Sequence, residues 1–405
     1  MANFNIDYLV VGGGGGGGSA NGASGSGGGA GEYLYKTGQT LSTGIAYTVD
    51  VGANGVGGVT TDNSGNGGAG TQGASSSFNS DSAAGGGFGV VPNLPANGGD
   101  GGSGGGANYP TYSPGSSTAV SPGLGNQGGA GSTVGGGAGA YGSGGGGGAA
   151  QAGFPGTTSV GGNGGNGIYN SITGTSTAYA AGGGGGIFAP SGQYTFGIGG
   201  SGGTGGSSSI TNNASDGAPS TGSGGGGGSY NTSTVPYNGG NGASGIVILR
   251  YTTADVAGYT TTGSTPTEDT TTIPGQTILS FTTVGTGAIN FTAPPPPITP
   301  FDGTKVTNPV TGFNKTGTSE GLKLPSGDNS NQPVGALAEQ GMIRNDTEET
   351  VDSSASAITH YNGTNWQYFA ATESPDVVYP TSLKMYLDAN NVASNPGSGT
   401  VWTDL

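Results

Sequence analysis

Residues 7–22 read DYLVVGGGGGGGSANG: a short run of strand formers passes directly into seven consecutive glycines, Gly12 to Gly18. Glycine loses more backbone freedom on ordering than any other residue, so such a run stays in one conformation only if something outside it compensates. Gly/Ser tracts are ordinarily flexible linkers. Here a second apolar segment argues otherwise. Gly245-Ile246-Val247-Ile248-Leu249-Arg250-Tyr251 closes the glycine-rich region as Ile6-Asp7-Tyr8-Leu9-Val10-Val11 opens it, and both are rich in β-branched and aromatic residues, as strands prefer. Their near-continuous apolarity predicts burial on both faces. Pairing of Tyr8, Leu9, Val10 and Val11 with Ile246, Val247, Ile248, Leu249 and Tyr251 would clamp everything between them into one domain.

Composition narrows the class. Of 405 residues, 30% are hydrophobic and 7% charged, against roughly 45–50% and 25% in ordinary globular proteins. Of the 98 glycines, 15 follow Tyr251, so 83 lie in the first 251 residues, near the one-third density of collagen. No strict triplet is kept, and the region holds only nine prolines, which excludes a collagen helix. The net charge of −15 reflects scarce bases: only Lys36 and Arg250 precede Tyr251. That argues against nucleic acid and against anionic membrane surfaces. No apolar run reaches spanning length, and the start, MANFNIDYLVV, lacks the basic and apolar regions of a secretory signal. With no cysteine, neither disulfides nor thiolate metal sites are available.

Within the region glycine runs recur at 12–18, 27–29, 85–87, 144–148, 182–186 and 224–228. Such a run can form a left-handed extended helix of three residues per turn and ~3.1 Å rise, so seven residues span roughly 22 Å. Alone it has no internal hydrogen bonds. Without Cβ atoms, several can approach closely enough for N–H and C=O groups to pair between neighbours, which satisfies the buried backbone. Glu32-Tyr33-Leu34-Tyr35 and 46–51 (AYTVDV) alternate as half-buried strands.

The combination DYLVVGGGGGGG, YTVDVGANGVGG, repeated GGGGG blocks and GASGIVILRY resembles the glycine-rich domain of bacteriophage tail-fibre and adhesin proteins over about residues 4–251. The resemblance implies parallel polyglycine-II helices in a hexagonal array, with host contacts on the loops between runs. Residues 252–300 are expected to form a separate Thr/Pro-rich β module, with 276–282 and 287–292 pairing as two strands before a stiff proline spacer. Residues 301–374, with GMIRND and then Tyr361 and Trp366 flanking an Asn362-Gly363 turn, resemble a tail-fibre β repeat. Residues 375–405 resemble the opening of a concanavalin-like lectin sandwich, which implies a natural chain continuing past Leu405. The expected fold is therefore all-β with polyglycine-II helices and little or no α-helix.

Chemistry is sparse. His360 sits in the Tyr361/Trp366 hairpin, and any hydrolytic triad would have to use it. The carboxylates of the glycine-rich region, Asp7, Glu32, Asp50, Asp62, Asp81, Asp100 and Asp216, are widely dispersed. GxGxxG occurs repeatedly but without a strand–turn–helix context. Asp302 and Asp328-Asn329-Ser330-Asn331 offer oxygen atoms but read as solvated turns. We therefore expect no enzyme, catalytic residue, cofactor or metal. Six Asn-x-Ser/Thr sequons, at Asn213, Asn231, Asn290, Asn314, Asn345 and Asn362, suit chance or a glycosylated filament. Eight aromatics punctuate the segments between runs: Tyr109, Tyr112, Phe154, Phe188, Tyr194, Phe196, Tyr230 and Tyr237. They are candidate receptor contacts or covers for the bundle. The expected function is a non-enzymatic structural fibre or adhesin of a phage tail, located in the virion or outside cells. Its expected partners are copies of itself, as a trimer or a filament, other virion proteins, and a host glycan or outer-membrane protein. The alternative is a self-assembling extracellular filament in which 246–251 adds to a neighbour's sheet.

Overall fold

In the computed structural model, the described residues are 2–20, 23–60, 67–91, 97–109, 112–133, 140–188, 195–200, 206, 212–230 and 237–294, together with the backbone of strands at 326–327, 343–350, 356–361 and 366–368. The chain divides into two compact units, Met1–Pro296 and Pro297–Leu405. Among the described residues there is no α-helix, only strands and one 3-10 turn.

The first unit rests on two five-stranded sheets, with two short strand pairs besides, β6 (Tyr141–Gly142) with β9 (Ile187–Phe188) and β7 (Ile168–Asn170) with β8 (Thr177–Tyr179). Strands β1 (Asn3–Val11), β2 (Tyr33–Ser42), β10 (Ile246–Thr252), β12 (Thr267–Asp269) and β13 (Gln276–Phe281) form one, in the order β12-β13-β10-β1-β2. Strands β3 (Ala46–Val51), β4 (Ser76–Phe78), β5 (Asp81–Ala83), β11 (Gly258–Thr262) and β14 (Gly285–Thr292) form the other, in the order β11-β14-β3-β4-β5. The clamp strands β1 and β10 run antiparallel, Tyr8 opposite Leu249 and Val10 opposite Val247. Because side chains alternate across a strand, Tyr8, Val10, Val247, Leu249 and Tyr251 enter the core between the sheets, with Phe4, Phe78, Phe281 and Phe291. Leu9, Val11, Ile246 and Ile248 face the opposite way, onto a second core with Tyr33, Ile172, Tyr179 and Ile278. This double burial accounts for the unbroken apolarity of both strands.

Beyond Val11 the chain continues as a straight column, residues 12–20. Its N–H groups donate with a period of three: Gly12, Gly15 and Gly18 to Glu32, Gly29 and Ser26; Gly13, Gly16 and Ser19 to Ala74, Thr71 and Gly68; Gly14, Gly17 and Ala20 to Ala243, Gly240 and Tyr237. Partner numbers fall as donor numbers rise, so these three neighbours are antiparallel. Its carbonyls accept from Gly86 and Gly89, Gly55 and Gly58, and Gly225 and Gly228, numbers that rise together, so the other three neighbours are parallel. Three residues per repeat, six neighbouring columns and, among the described residues, no hydrogen bond within the column describe a packed polyglycine-II helix. Column 23–32 is enclosed in the same way, donating to 222–228, 84–90 and 144–147 and accepting from 12–18, 103–106 and 183–186. The array thus mixes directions, where a parallel one was implied. A chain that reverses at each end of a bundle necessarily lays successive columns antiparallel.

The outer columns use a further device. Asn213, Asp216, Asn97, Asp100 and Asn163 each accept, through Oδ1, the N–H of a neighbouring residue (Asn238, Asn241, Ser113, Ser116 and Ile198) at 2.6–3.0 Å. The carbonyl of that same neighbour accepts the N–H of the residue following the Asx. Each clasp places two hydrogen bonds on one neighbour. The spacing of three in Asn97/Asp100 and Asn213/Asp216 is the period of the helix itself.

Two sequence expectations are corrected. Residues 276–281 and 285–292 neither pair with each other nor form a module of their own. Strand β13 pairs with β10 and β12, and β14 with β3 and β11, so they complete the two sheets, and Leu279, Phe281, Ile289 and Phe291 are fully buried. Strand β10, offered as an exposed strand for polymerisation, is flanked by β1 and β13 and has no free edge. It follows that a chain ending at residue 252 should fail to give a protease-resistant core, whereas one ending at 296 should give it; equal resistance of the two fragments would refute this account.

In the second unit, strands β15 (Ser326–Gly327), β16 (Ile343–Thr350), β17 (Ser356–Tyr361) and β18 (Trp366–Tyr368) form one sheet in that order. Tyr361 and Trp366 are register partners, and His360 pairs with Ile343 and Gln367. The remaining residues of 301–374, including Asp302 and 328–331, and all of 375–405 lie outside the described residues.

Candidate functional site

Residue 12 joins the sheets, so residue 20 lies at the far end of the bundle. The hydrogen bonds that tie Gly228 to Gly18 and Gly25, Gly186 to Gly25, and Gly106 and Gly144 to Gly27 bring four further columns to that end. Each carries an aromatic there: Tyr109 after column 102–108, Tyr141 opening column 141–149, Phe188 closing 180–188 and Tyr230 closing 221–230. The columns are direct neighbours, through Gly144 N–H to the Ala107 carbonyl (2.9 Å), Ser143 N–H to Gly186 (2.9 Å) and Tyr230 N–H to Ile187 (3.0 Å). Their rings stack in one file, with centroids 4.5 Å (Tyr109–Tyr141), 5.1 Å (Tyr141–Phe188) and 5.7 Å (Phe188–Tyr230) apart and interplanar angles of 19–26°. Extended chains bonded laterally lie ~4.7–4.9 Å apart, so the main-chain lattice dictates a spacing at which stacked aromatics are favourable.

A buried polar network holds this ladder. Asn108 donates to the carbonyls of Ser24 and Val90 and accepts, at Oδ1, the Tyr109 N–H (2.9 Å) and the Ser143 hydroxyl (3.0 Å). Ser26 accepts from the Val90 N–H and donates to the Gly106 carbonyl, both at 2.7 Å. Tyr141 is half-buried, and its hydroxyl pKa is pushed up to about 12, first by burial and then by the neighbouring Tyr109. It stays a neutral hydroxyl across the physiological range.

Of the eight aromatics singled out from sequence, the structure brings three into the ladder: Tyr109, Phe188 and Tyr230. Tyr237 is half-buried at the same end, its carbonyl accepting the Ala20 N–H, but it does not join the stack. Tyr112 is half-buried outside it. Phe154 and Phe196 are exposed on outer columns, and Tyr194 lies outside the described residues. Sequence reasoning missed Tyr141. Its signal was position: like the others, it adjoins a glycine run at the point where the run begins or ends.

Five of the seven carboxylates named from sequence are committed elsewhere; Asp50 is half-buried in β3, and Asp62 lies outside the described residues. Asp7 pairs with Arg250 (2.6 Å) across β1 and β10, and both Asp81 carboxylate oxygens accept from Lys36 Nζ (2.8 Å). Buried Glu32 accepts the N–H groups of Ala84 and Val120, and Asp100 and Asp216 serve as clasps. Both bases of the first 251 residues are thus ion-paired on the sheets. Burial alone would raise the Asp81 pKa, but hydrogen bonds from Lys36 and Tyr8 outweigh it and hold the carboxyl below its ordinary value. Stabilisation from a depressed carboxyl is present above the unfolded-state pKa and is lost as pH falls through the folded one. Thermal midpoints at pH 7 and pH 3 should therefore differ more in the wild-type chain than in Lys36→Met; equal pH dependence would refute the assignment.

A family model described as a glycine-rich domain matches residues 2–252. The chain belongs to this glycine-rich domain family. The matched segment of the glycine-rich domain runs from β1 through every glycine column to the end of β10, and so stops before β13 and β14, which complete its sheets. No curated protein matches the chain.

Proposed function

We propose that this chain is a non-enzymatic attachment or fibre protein of a bacteriophage tail. It acts in the virion or outside the cell, as a homo-oligomer among other virion proteins, and meets a host-surface glycan or outer-membrane protein with the far end of its glycine bundle. The observation that carries this reading is the polarity of the first unit. The chain enters and leaves through the sheets, at β1 and β14, while the opposite end presents a rigidly mounted aromatic ladder. Aromatic side chains give large contact area at low entropic cost. The bundle supplies reach without apolar core, because its columns bond main chain to main chain. The occupied carboxylates and their dispersal support a role without catalysis. Among the described residues no helix is long and apolar enough to cross a membrane.

The test is adsorption of the fluorescently labelled full chain to a panel of bacterial strains. The double variant Tyr109→Ala/Tyr230→Ala should lose at least tenfold in adsorption to every strain that the wild type binds, with an unchanged circular dichroism spectrum. Undiminished adsorption would overturn the reading.

A further inference from the structure

We propose that the aromatic ladder is a subsite for a linear neutral glycan, laid along the file of rings Tyr109, Tyr141, Phe188 and Tyr230. This inference deepens the attachment reading above and rests on it.

Three features of the ladder select the ligand. The first is charge. Lys36 and Arg250 are the only bases among the first 251 residues, and each is paired with a carboxylate on the sheet at the other end of the unit. An anionic ligand such as a phosphorylated or sulfated saccharide would lose hydration at the ladder without gaining a cationic partner. The second is the chemistry of the exposed parts. Because the rings stack on one another, the inner faces are used up, and the half-buried file offers ring edges together with the phenol groups of its end members, Tyr109 and Tyr230. The rings of Tyr109 and Tyr141 stack with centroids 4.5 Å apart. A hydroxyl both donates and accepts, which matches the hydroxyls of a sugar, while the outer faces of Tyr109 and Tyr230 carry no further ring among the described residues. The third is repeat. Ring centroids advance by 4.5, 5.1 and 5.7 Å, about the step by which successive rings of an extended polysaccharide advance, so a linear glycan can follow the file ring by ring. The Asn108, Ser24 and Ser143 network fixes the rings beforehand, and less ordering entropy is then lost on binding.

The experiment is affinity electrophoresis of the full chain in native gels containing a panel of neutral linear glucans, xylans and mannans, with dextran sulfate as the anionic counterpart. At least one neutral glycan should retard the wild type. Tyr109→Ala/Tyr230→Ala should weaken that retardation at least tenfold. Tyr109→Phe, which removes only a hydroxyl, should weaken it severalfold at unchanged thermal midpoint. Tyr169→Ala, altering an exposed tyrosine of the hairpin beside the sheets, should leave it unchanged. Retardation by dextran sulfate alone, by no neutral glycan, or equally in all variants would overturn the proposal. If the double variant loses cell adsorption yet no glycan retards the wild type, the glycan assignment fails and attachment stands. Ladder-dependent retardation with undiminished adsorption of the double variant would leave the glycan subsite and remove attachment.

Discussion

Gly15→Ala should destabilise the glycine-rich unit by roughly 3–5 kcal/mol, the sum of an overpacked contact and of buried main-chain groups left unpaired. In a unit spanning Met1–Pro296 that lowers the thermal midpoint by roughly 5–8 °C, at ~2 cal/mol/K of unfolding entropy per residue. A Cβ at Gly15 would stand 2.1 Å from the Gly87 carbonyl oxygen, and the other glycines of the run fare no better, at 2.0–2.3 Å from neighbouring carbonyls. The obstruction is main chain of a hydrogen-bonded neighbour, which cannot rotate aside as a side chain would. Moving it breaks bonds on both columns: Gly15 donates to Gly29 and accepts from Gly225, while Gly87 accepts from Gly29. The control is Gly258→Ala in β11, where an added Cβ meets nothing within 4 Å; it should change stability by no more than about 0.5 kcal/mol. Calorimetry of the two variants decides the matter, and coincident melting would refute lateral main-chain packing as the source of rigidity.

Val247→Asp is expected to have a comparable effect, roughly 4 kcal/mol. Val247 is fully buried in the core between the sheets, opposite Val10 on β1 and Phe281 on β13, and the only arginine nearby, Arg250, is already paired with Asp7. A carboxylate there has neither water nor partner. Since β10 joins the two ends of a region of more than two hundred residues, its loss should release the columns as well as the sheet. Limited proteolysis should show cleavage within residues 12–18 and 224–228 of the variant but not of the wild type. A variant core of wild-type size would count against the clamp.

How far the sequence could be read depended on whether an element's partners were recorded in its own pattern. The clamp was legible because Leu9, Val11, Ile246 and Ile248 are apolar on the face that an ordinary half-exposed strand leaves polar. The register partners Tyr361 and Trp366 were legible because the dipeptide Asn-Gly between them is a local turn signal in the sequence. By contrast, β4 and β5, at 76–78 and 81–83, are too short and polar to announce a hairpin, and only the pairing of Val49 with Phe78 recruits them to a sheet. Likewise, nothing in QTILSF or GTGAINFT states that each would join a strand already present rather than the other. The Asx spacing of three was visible in NGGD and NASD but gains meaning only once a neighbouring N–H is known to stand opposite.

By itself, the sequence determined that glycine runs without Cβ atoms can pack only by bonding to one another, that two doubly apolar strands must close the region, and that the glycine-rich region has almost no positive charge to offer a partner. Tertiary structure alone decided which runs become neighbours, in which direction they pass, and hence that Tyr109, Tyr141, Phe188 and Tyr230, far apart in the chain, stand in one file. The physical reason is that a polyglycine column carries no side-chain code for its partner. Every N–H and C=O is equivalent, so the assignment is made by where the chain turns and by the sheets that hold its ends.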